Sequence, residues 1–163
     1  MITERIRRFL ESGGTRCETL PHREVFTARE VAQTSHVPGS RLAKVLIAKE
    51  HDGRCLMVVL PAPCRLDLGA VRDAARTRRL SLAAEGELVR LFPDCDTGAM
   101  PPFGSLYDMP VYADACFPHE GDFFFQAGNH REIVRISWED FERLARPVVG
   151  EFCLHERKEA ESA

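Results

Sequence analysis

The spacing of apolar residues along the chain switches between two patterns, and each pattern predicts one kind of element. Apolar side chains recur every third or fourth position in some segments, which is typical of helices with one buried face. Short runs rich in branched apolar residues predict strands between them. The predicted helices cover residues 2–12, 28–36, 68–77, 84–91 and 138–145. The predicted strands cover residues 16–22, 42–49, 54–60, 79–82, 109–114, 122–127 and 131–136.

Capping and turn residues mark the ends of several predicted elements. Three of the helices follow directly after a side chain that can accept a first-turn N–H: Thr27, Asp67 and Ser137. Glu30 stands three positions after Thr27, which is the spacing of a capping box. The clearest hairpin spans residues 42–60, because His51-Asp52-Gly53 supplies a tight turn between two apolar runs.

The interleaving of helices and strands predicts an α+β (mixed α/β) fold with a mixed, strongly curved β-sheet. The length of 163 residues is typical of one domain, which we expect over residues 1–150 with a polar C-terminal tail at 151–163. The longest apolar run, residues 55–62, is far shorter than the roughly 20 residues of a membrane helix. The N-terminus has no apolar signal-peptide core, so we expect a cytoplasmic protein with no membrane partner.

The net charge of −3 argues against a protein that binds nucleic acid over its whole surface, but one segment is locally basic. Residues 65–79 carry five arginines and two aspartates, a local balance of 5 − 2 = +3. The arginines are Arg65, Arg72, Arg76, Arg78 and Arg79. They form either an ordinary solvated face or a surface that contacts phosphates.

Neither the cysteines nor the familiar catalytic motifs indicate a metal or cofactor site. The six cysteines are scattered without a C-x-x-C pair, so we expect core fillers or free thiols rather than disulfides or zinc ligands. No phosphate-binding glycine loop, G-x-S-x-G elbow or H-E-x-x-H helix is present. These absences argue against most nucleotide hydrolases, dehydrogenases, serine esterases and zinc proteases.

Lys44 is the residue that fits an ordinary apolar strand least well. Leu42, Leu46 and Ala48 share its face at strand period two, and the opposite face is apolar as well. A buried ammonium needs an anionic or strongly polar partner. Lys44 is therefore either a functional cation or an edge-strand lysine whose ammonium reaches water.

Two loops and one acidic residue complete the set of unusual positions. Gly98-Ala99-Met100-Pro101-Pro102-Phe103-Gly104 is a proline-stiffened loop, which is either a plain connection or a holder of backbone N–H groups for an oxyanion or a water. Ala127-Gly128-Asn129-His130 is either a simple turn or a source of a neutral-pH base in His130. Asp114 ends an apolar strand as an ion-pair partner, a strand terminator or a site residue.

The order of these features resembles the YbaK/prolyl-tRNA-synthetase-associated domain family, the aminoacyl-tRNA editing domains that deacylate mischarged tRNA. The matching stretches lie within about residues 15–147, and each is weakly specific by itself. They are residues 22–30, residues 40–46, the strand 56–60, the loop 98–104, the strand 111–114 and the turn 126–130. The resemblance implies a curved sheet in a partial barrel with surrounding helices, which agrees with the fold predicted from the spacing.

The resemblance also implies roles for individual residues. Lys44, Gly98 and Asp114 match positions of the family's active site, with Lys44 holding the terminal phosphate or ribose and N–H groups near Gly98 holding a water or oxyanion. The implied substrate-binding residues are Thr27, Ala99, Met100, Pro101, Pro102, Phe103, Gly128, Asn129 and His130. The implied tRNA contacts are Arg72, Arg76, Arg78 and Arg79. Such a deacylase needs no metal or other cofactor, and its partners are mischarged tRNA and a separate synthetase.

The chain departs from the resemblance where the amino acid is selected. Gln126 and Ile133 stand where the cysteine-specific branch has Ser and Asp, and the turn around Asn129-His130 differs from the alanine-specific branch. A freestanding trans-editing deacylase is therefore the first functional hypothesis. The alternatives are a non-catalytic module that binds aminoacyl groups or tRNA, and a hydrolase of another small acyl ester.

Overall fold

The structure is a computed structural model that describes residues 3–154. Five α-helices lie in this range: α1 Glu4–Ser12, α2 Ala28–Ser35, α3 Leu68–Ala75, α4 Glu85–Leu91 and α5 Trp138–Ala145. Its eight strands are β1 Glu18–Pro21, β2 Ala43–Glu50, β3 Cys55–Pro61, β4 Leu80–Leu82, β5 Val111–Asp114, β6 Asp122–Gln126, β7 Glu132–Ser137 and β8 Val148–Gly150. Two short 3-10 helices cover Gly39–Arg41 and Gly104–Tyr107.

The strands form two sheets that meet at one corner. The smaller sheet is antiparallel in the order β1-β7-β6, and the larger is mixed in the order β4-β2-β3-β5-β8, with β5 and β8 parallel to β3. A single parallel bridge between Leu42 and Phe124 joins them, and we call this corner the seam. The predicted mixed α+β fold is confirmed, and the two curved sheets stop short of a closed barrel.

The alternation of side chains along the strands divides the core into an inner and an outer part. Inner-face residues of both sheets pack together between the sheets, with Ala43, Val45 and Ile47 contributed by β2. The aromatic centre of this inner core consists of Phe103, Phe123, Phe125, Trp138 and Phe141. Helix α3 covers the outer face of the larger sheet, and α2 covers the outer face at the seam.

The predicted helix caps are present. Asp67 Oδ1 accepts the Ala70 N–H at 3.1 Å, and Ser137 Oγ accepts the Asp140 N–H at 3.1 Å. Thr27 Oγ1 accepts the Glu30 N–H at 3.2 Å, while its own hydroxyl donates to the Glu30 carboxylate at 2.9 Å. Glu30 thus reaches the Thr27 hydroxyl rather than the backbone N–H of a full capping box.

The chain remains packed beyond the boundary predicted at residue 150. Phe152 and Cys153 are buried, and the backbone of 152–154 pairs with residues 65–67. Strand β8, which the spacing did not predict, brings this segment back beside β5. Residues 155–163 lie outside the described range. No helix among residues 3–154 has the length and apolar character needed to cross a membrane.

Candidate functional site

Strands β2 and β6 each place one polar side chain on the same side of the seam. Lys44 follows Leu42 by two residues, and Gln126 follows Phe124 by two residues. Because side chains two apart on a strand share a face, both leave from the outer faces that flank the seam. Leu42 and Phe124 themselves are buried there with α2 packed over them. The seam therefore brings one cation and one amide to the edge of an apolar cluster.

Lys44 lies half-buried in an electropositive setting. Its ammonium donates to the Cys64 carbonyl in the loop after β3. Burial lowers the pKa of Lys44 from its ordinary value; the thiols of Cys64 and Cys153 oppose this shift, and the guanidiniums of Arg29 and Arg65 add weakly to it. Both arginines are exposed. An anionic group of a ligand would pair with the Lys44 ammonium here, and the two arginines supply further positive charge.

A cavity of about 300 Å³ opens beside this cation cluster. Arg29 of α2 forms one wall, and residues 39–40 and 62–63 form the other. Pro63 directly precedes Cys64, whose carbonyl holds Lys44. Lys44 therefore lies next to the cavity wall that contains Pro63. Arg29, to which the sequence analysis assigned no role, lies on the opposite wall at the start of α2.

The proline-stiffened loop is anchored in the inner core and presents only Gly98 to solvent. Met100 and Phe103 are buried in the inner core, and Ala99, Pro101 and Pro102 are buried as well. Gly104 fits only as glycine, since a Cβ there would lie 2.2 Å from the Met109 carbonyl oxygen. The side chains of residues 99–103 thus anchor the loop, and any contact with a ligand would come from its backbone.

Backbone hydrogen bonds join this loop to the turn at residues 127–130. The Gly128 N–H donates to the Ala99 carbonyl and the Asp96 N–H donates to the Gly128 carbonyl, both at 2.8 Å. Gly98 has φ +88° and Gly128 has φ +100°, values that glycine adopts without strain. Among residues 3–154 the Gly98 N–H has no hydrogen-bond partner. The structure thus brings the two predicted loops together and leaves the N–H of the exposed Gly98 available to a ligand.

His130 is buried against this loop with one ring nitrogen unpaired. Its Nε2 lies 2.7 Å from the Thr97 carbonyl oxygen, and a carbonyl can only accept. This contact places the proton on Nε2 and leaves Nδ1 as a bare acceptor. Nδ1 is buried and has no partner among the described residues. A Cβ added at Gly98 would lie 3.6 Å from His130 Cε1, so the imidazole lies beside this glycine.

Gln126 supplies a second buried acceptor without a partner. Its side chain is 5 % exposed, and its Oε1 makes no hydrogen bond within residues 3–154. Its partner across β6 and β7 is Ile133, which is fully buried. An unsatisfied buried acceptor costs free energy unless a ligand or a water supplies the donor. Two such acceptors at the ends of one turn favour a ligand that carries a cationic or N–H-rich group.

Phe26 adds an exposed aromatic ring at the same place. The ring is 63 % exposed and meets the His130 imidazole edge-on, with centroids 5.1 Å apart. The exposed ring therefore borders the surface above the buried imidazole. Thr27, the next residue, uses its hydroxyl within its own cap, and Asn129 Oδ1 accepts the Arg131 N–H. The exposed Phe before a capping box was the available sequence signal for this position.

Asp114 lies away from the loop and serves the C-terminal segment. Its carboxylate is 1 % exposed, with Oδ1 accepting the N–H groups of Phe152 and Cys153 at 2.7 and 3.2 Å. Oδ2 accepts the Cys116 N–H at 2.8 Å. Burial raises the pKa of Asp114, but these hydrogen bonds outweigh it and the net pKa is lowered. The thiols of Cys116 and Cys153 lower the pKa as well. Asp114 therefore ties the C-terminal segment to the end of β5.

The predicted arginine patch divides into two parts. Arg72, Arg78 and Arg79 line an open groove, whereas Arg76 takes the left-handed C-cap position of α3 and is not among the residues lining that groove. All four side chains are exposed. The sequence could not separate them, because their spacing within residues 72–79 does not show where α3 ends.

Replacing Gly98 by alanine is expected to lower the rate of a reaction catalysed at this site by about 10-fold. A Cβ at φ +88° strains the backbone by about 1–2 kcal/mol and turns the free N–H away from its present direction. Gly53→Ala is the matched control: Gly53 has φ +93° and open space around it, in the β2–β3 hairpin. Both variants should lose similar stability in thermal unfolding. Equal activity losses in the two variants would contradict a role for the Gly98 N–H.

One family model matches most of the chain. The aminoacyl-tRNA editing domain family matches residues 22–144. No curated protein matches the chain.

Solved structures share its fold at low sequence identity. A hypothetical protein, APE2540, superposes with a TM-score of 0.82 at 20 % identity, over 93 % of this chain and 100 % of that one. A protein described as a candidate trans-editing enzyme for prolyl-tRNA synthetase gives 0.79 at 23 % identity, over 93 % and 96 %. A candidate signal transduction protein from Marinobacter aquaeolei VT8 gives 0.73 at 18 % identity, over 95 % of this chain and 31 % of that one.

Proposed function

Because the chain belongs to the aminoacyl-tRNA editing domain family, we propose that it hydrolyses the ester bond of mischarged tRNA as a freestanding, trans-acting deacylase. The observation that carries this proposal is the pairing of an unused N–H at Gly98 with an unused acceptor at His130 Nδ1. Ester hydrolysis needs both, a donor for the developing oxyanion and an acceptor that orients the attacking water. The fold shared with a candidate trans-editing enzyme supports action outside a synthetase.

The chemistry assigned to the site is direct attack by water. Water adds to the carbonyl carbon of the ester, and its electron pair displaces the carbonyl π electrons onto the oxygen, which the Gly98 N–H holds. The C–O bond to the ribose then breaks, and the proton that the attacking water gives up passes to the ribose oxygen as it leaves. His130 Nδ1 accepts a hydrogen bond from the water and orients it. The reaction requires only the substrate ester, water, and backbone and side-chain groups of this chain.

The remaining groups position the substrate around the ester. The α-ammonium group of the aminoacyl moiety meets the unpaired Oε1 of Gln126, which satisfies a buried acceptor. Lys44, with Arg29 and Arg65 nearby, holds the terminal phosphate. The exposed ring of Phe26 stacks on the terminal adenine, as aromatic side chains do with unstacked bases.

His130→Asn is expected to lower kcat by about 10- to 100-fold with little change in KM, because the water loses its orienting acceptor. His119→Asn is the matched control, since His119 is an exposed histidine stacked on Trp138. The measurement is the initial rate of amino-acid release over a range of substrate concentrations. A His130→Asn protein that changes KM alone would assign His130 to substrate binding instead.

The substrate class is tested with two esters and the purified chain, with no synthetase present. The proposed deacylase releases the amino acid from mischarged tRNA much faster than it cleaves a nitrophenyl ester of the same amino acid. Equal rates on both esters would indicate a general small-ester hydrolase. Binding of mischarged tRNA without hydrolysis of either ester would overturn the proposal in favour of the non-catalytic binding module.

A further inference from the structure

An open groove at the far end of β2 carries most of the unpaired positive charge of the arginine segment. The groove encloses about 630 Å³ between β4, the end of β2 and the C-terminal end of α3. Its cationic lining consists of Lys49, Arg72, Arg78 and Arg79, with His51 at the hairpin turn. We call it the arginine groove.

The two carboxylates in the arginine groove are already engaged. Glu87 pairs with Lys49 at 2.7 Å, and Glu50 lies 3.6 Å from Arg54 outside the groove. Arg72 makes only a long contact of 3.4 Å to its neighbour Asp73. Arg78 and Arg79 face solvent without an ion pair among residues 3–154, and Arg72 beside them is held only by its exposed neighbour Asp73. Phosphate groups complement such an arrangement of guanidiniums on one concave surface.

The distance between Lys44 and the arginine groove along β2 determines how long a ligand must be to contact both. Glu50, which lines the groove, lies six residues after Lys44 on the same face of β2, which corresponds to about 20 Å at the usual strand rise. Helix α3, which carries Arg72, packs on the outer face of β2 from which Lys44 also projects. At about 3.4 Å of helix axis per phosphate, this separation spans on the order of six nucleotides of one strand.

We propose that the arginine groove binds the backbone phosphates of the acceptor stem of tRNA, a few nucleotides from the terminal adenosine held at Lys44. This inference rests on the proposed function and extends it to a second contact surface. The groove is larger than one phosphate fills, and its guanidiniums come from α3 (Arg72) and from the segment before β4 (Arg78 and Arg79). The contacts are to phosphates, so they set affinity and register without reading sequence.

The salt dependence of binding tests the groove independently of catalysis. Uncharged tRNA is titrated with the wild-type chain and with R72Q/R78Q/R79Q at several salt concentrations. We expect the triple variant to bind at least 10-fold more weakly and its slope of log K against log[salt] to fall by about 2–3, with R79Q alone lowering the slope by about 1. R8Q removes one exposed positive charge outside the groove, on α1, and should match the wild type.

Two substrates distinguish failure of the groove from failure of the proposed function. The triple variant should lose kcat/KM on mischarged tRNA but retain wild-type activity on an aminoacyl-adenosine, which has no stem to contact. Wild-type affinity and salt slope in the triple variant would overturn the groove while leaving deacylation untouched. A wild-type protein that binds tRNA through the groove but releases no amino acid would overturn the proposed function alone. A wild-type chain with no affinity for tRNA would overturn both.

Discussion

Replacing Lys44 by methionine is expected to lower kcat/KM for deacylation of mischarged tRNA by about 100-fold or more. The ammonium lies half-buried beside Arg29 and Arg65, where a fixed charge acts on a bound phosphate more strongly than it does in water. Loss of one such preorganised charge typically costs two to three orders of magnitude in rate. Methionine keeps a long unbranched side chain against the outer face of β2, so packing should change little.

The stability of the Lys44→Met protein separates chemistry from folding. Only the contact between the ammonium and the Cys64 carbonyl is lost, which predicts a fall in Tm of a few degrees at most. Arg8→Met is a suitable control for the loss of one positive charge, because Arg8 lies exposed on the solvent side of α1. A folded Lys44→Met protein with a rate within threefold of the wild type would remove Lys44 from the site.

Replacing Asp114 by asparagine is expected to destabilise the fold by about 2–4 kcal/mol. The two carboxylate oxygens accept three backbone N–H groups, and an amide can replace only one of those oxygens. Whichever way it is oriented, its NH₂ group faces a backbone donor, which leaves buried N–H groups unsatisfied. For a chain of this size the loss corresponds to a fall in Tm of about 5–15 °C.

The pH dependence of the same variant follows from the lowered pKa of Asp114. Its carboxylate stabilises the folded state fully above the ordinary value of 3.8 and loses that contribution as pH falls through the lower folded-state pKa. The stability difference between wild type and Asp114→Asn, measured by urea unfolding, should therefore stay constant from pH 7 to about pH 5. Below pH 3.8 the stability difference between the two proteins should become smaller. A difference that grows on acidification would contradict this linkage.

Local chemistry explains why much of the fold is predictable from the sequence. The β2–β3 hairpin follows from two apolar runs around His51-Asp52-Gly53, and α2 follows from Thr27 as its cap. Strand β8 is missed because it has only three residues and two of them, Val148 and Val149, are exposed on a sheet edge. Its pairing with β5 is set by tertiary contacts, which the local pattern does not contain.

The candidate site is predictable in its residues but less so in their orientation. Lys44 stands out in any apolar strand, and the glycines and prolines mark the loop at residues 98–104. Sequence alone cannot show that Met100 and Phe103 point into the inner core while Gly98 faces outward. The unpaired acceptors of Gln126 and His130 depend on the register of β6 and β7 and on the Thr97 carbonyl. Those relations exist only in the folded chain.

The most direct test is a deacylation panel with the purified chain and no synthetase present. tRNAs carrying Ala, Cys, Ser, Pro or Thr are each mixed with excess protein, and release of the amino acid is followed in single turnovers beside the Lys44→Met protein. We expect rapid release from one or two of the five and loss of that release in the variant. Release from none of them above the uncatalysed rate, or equal release by the variant, would contradict the assignment of an editing deacylase that depends on Lys44.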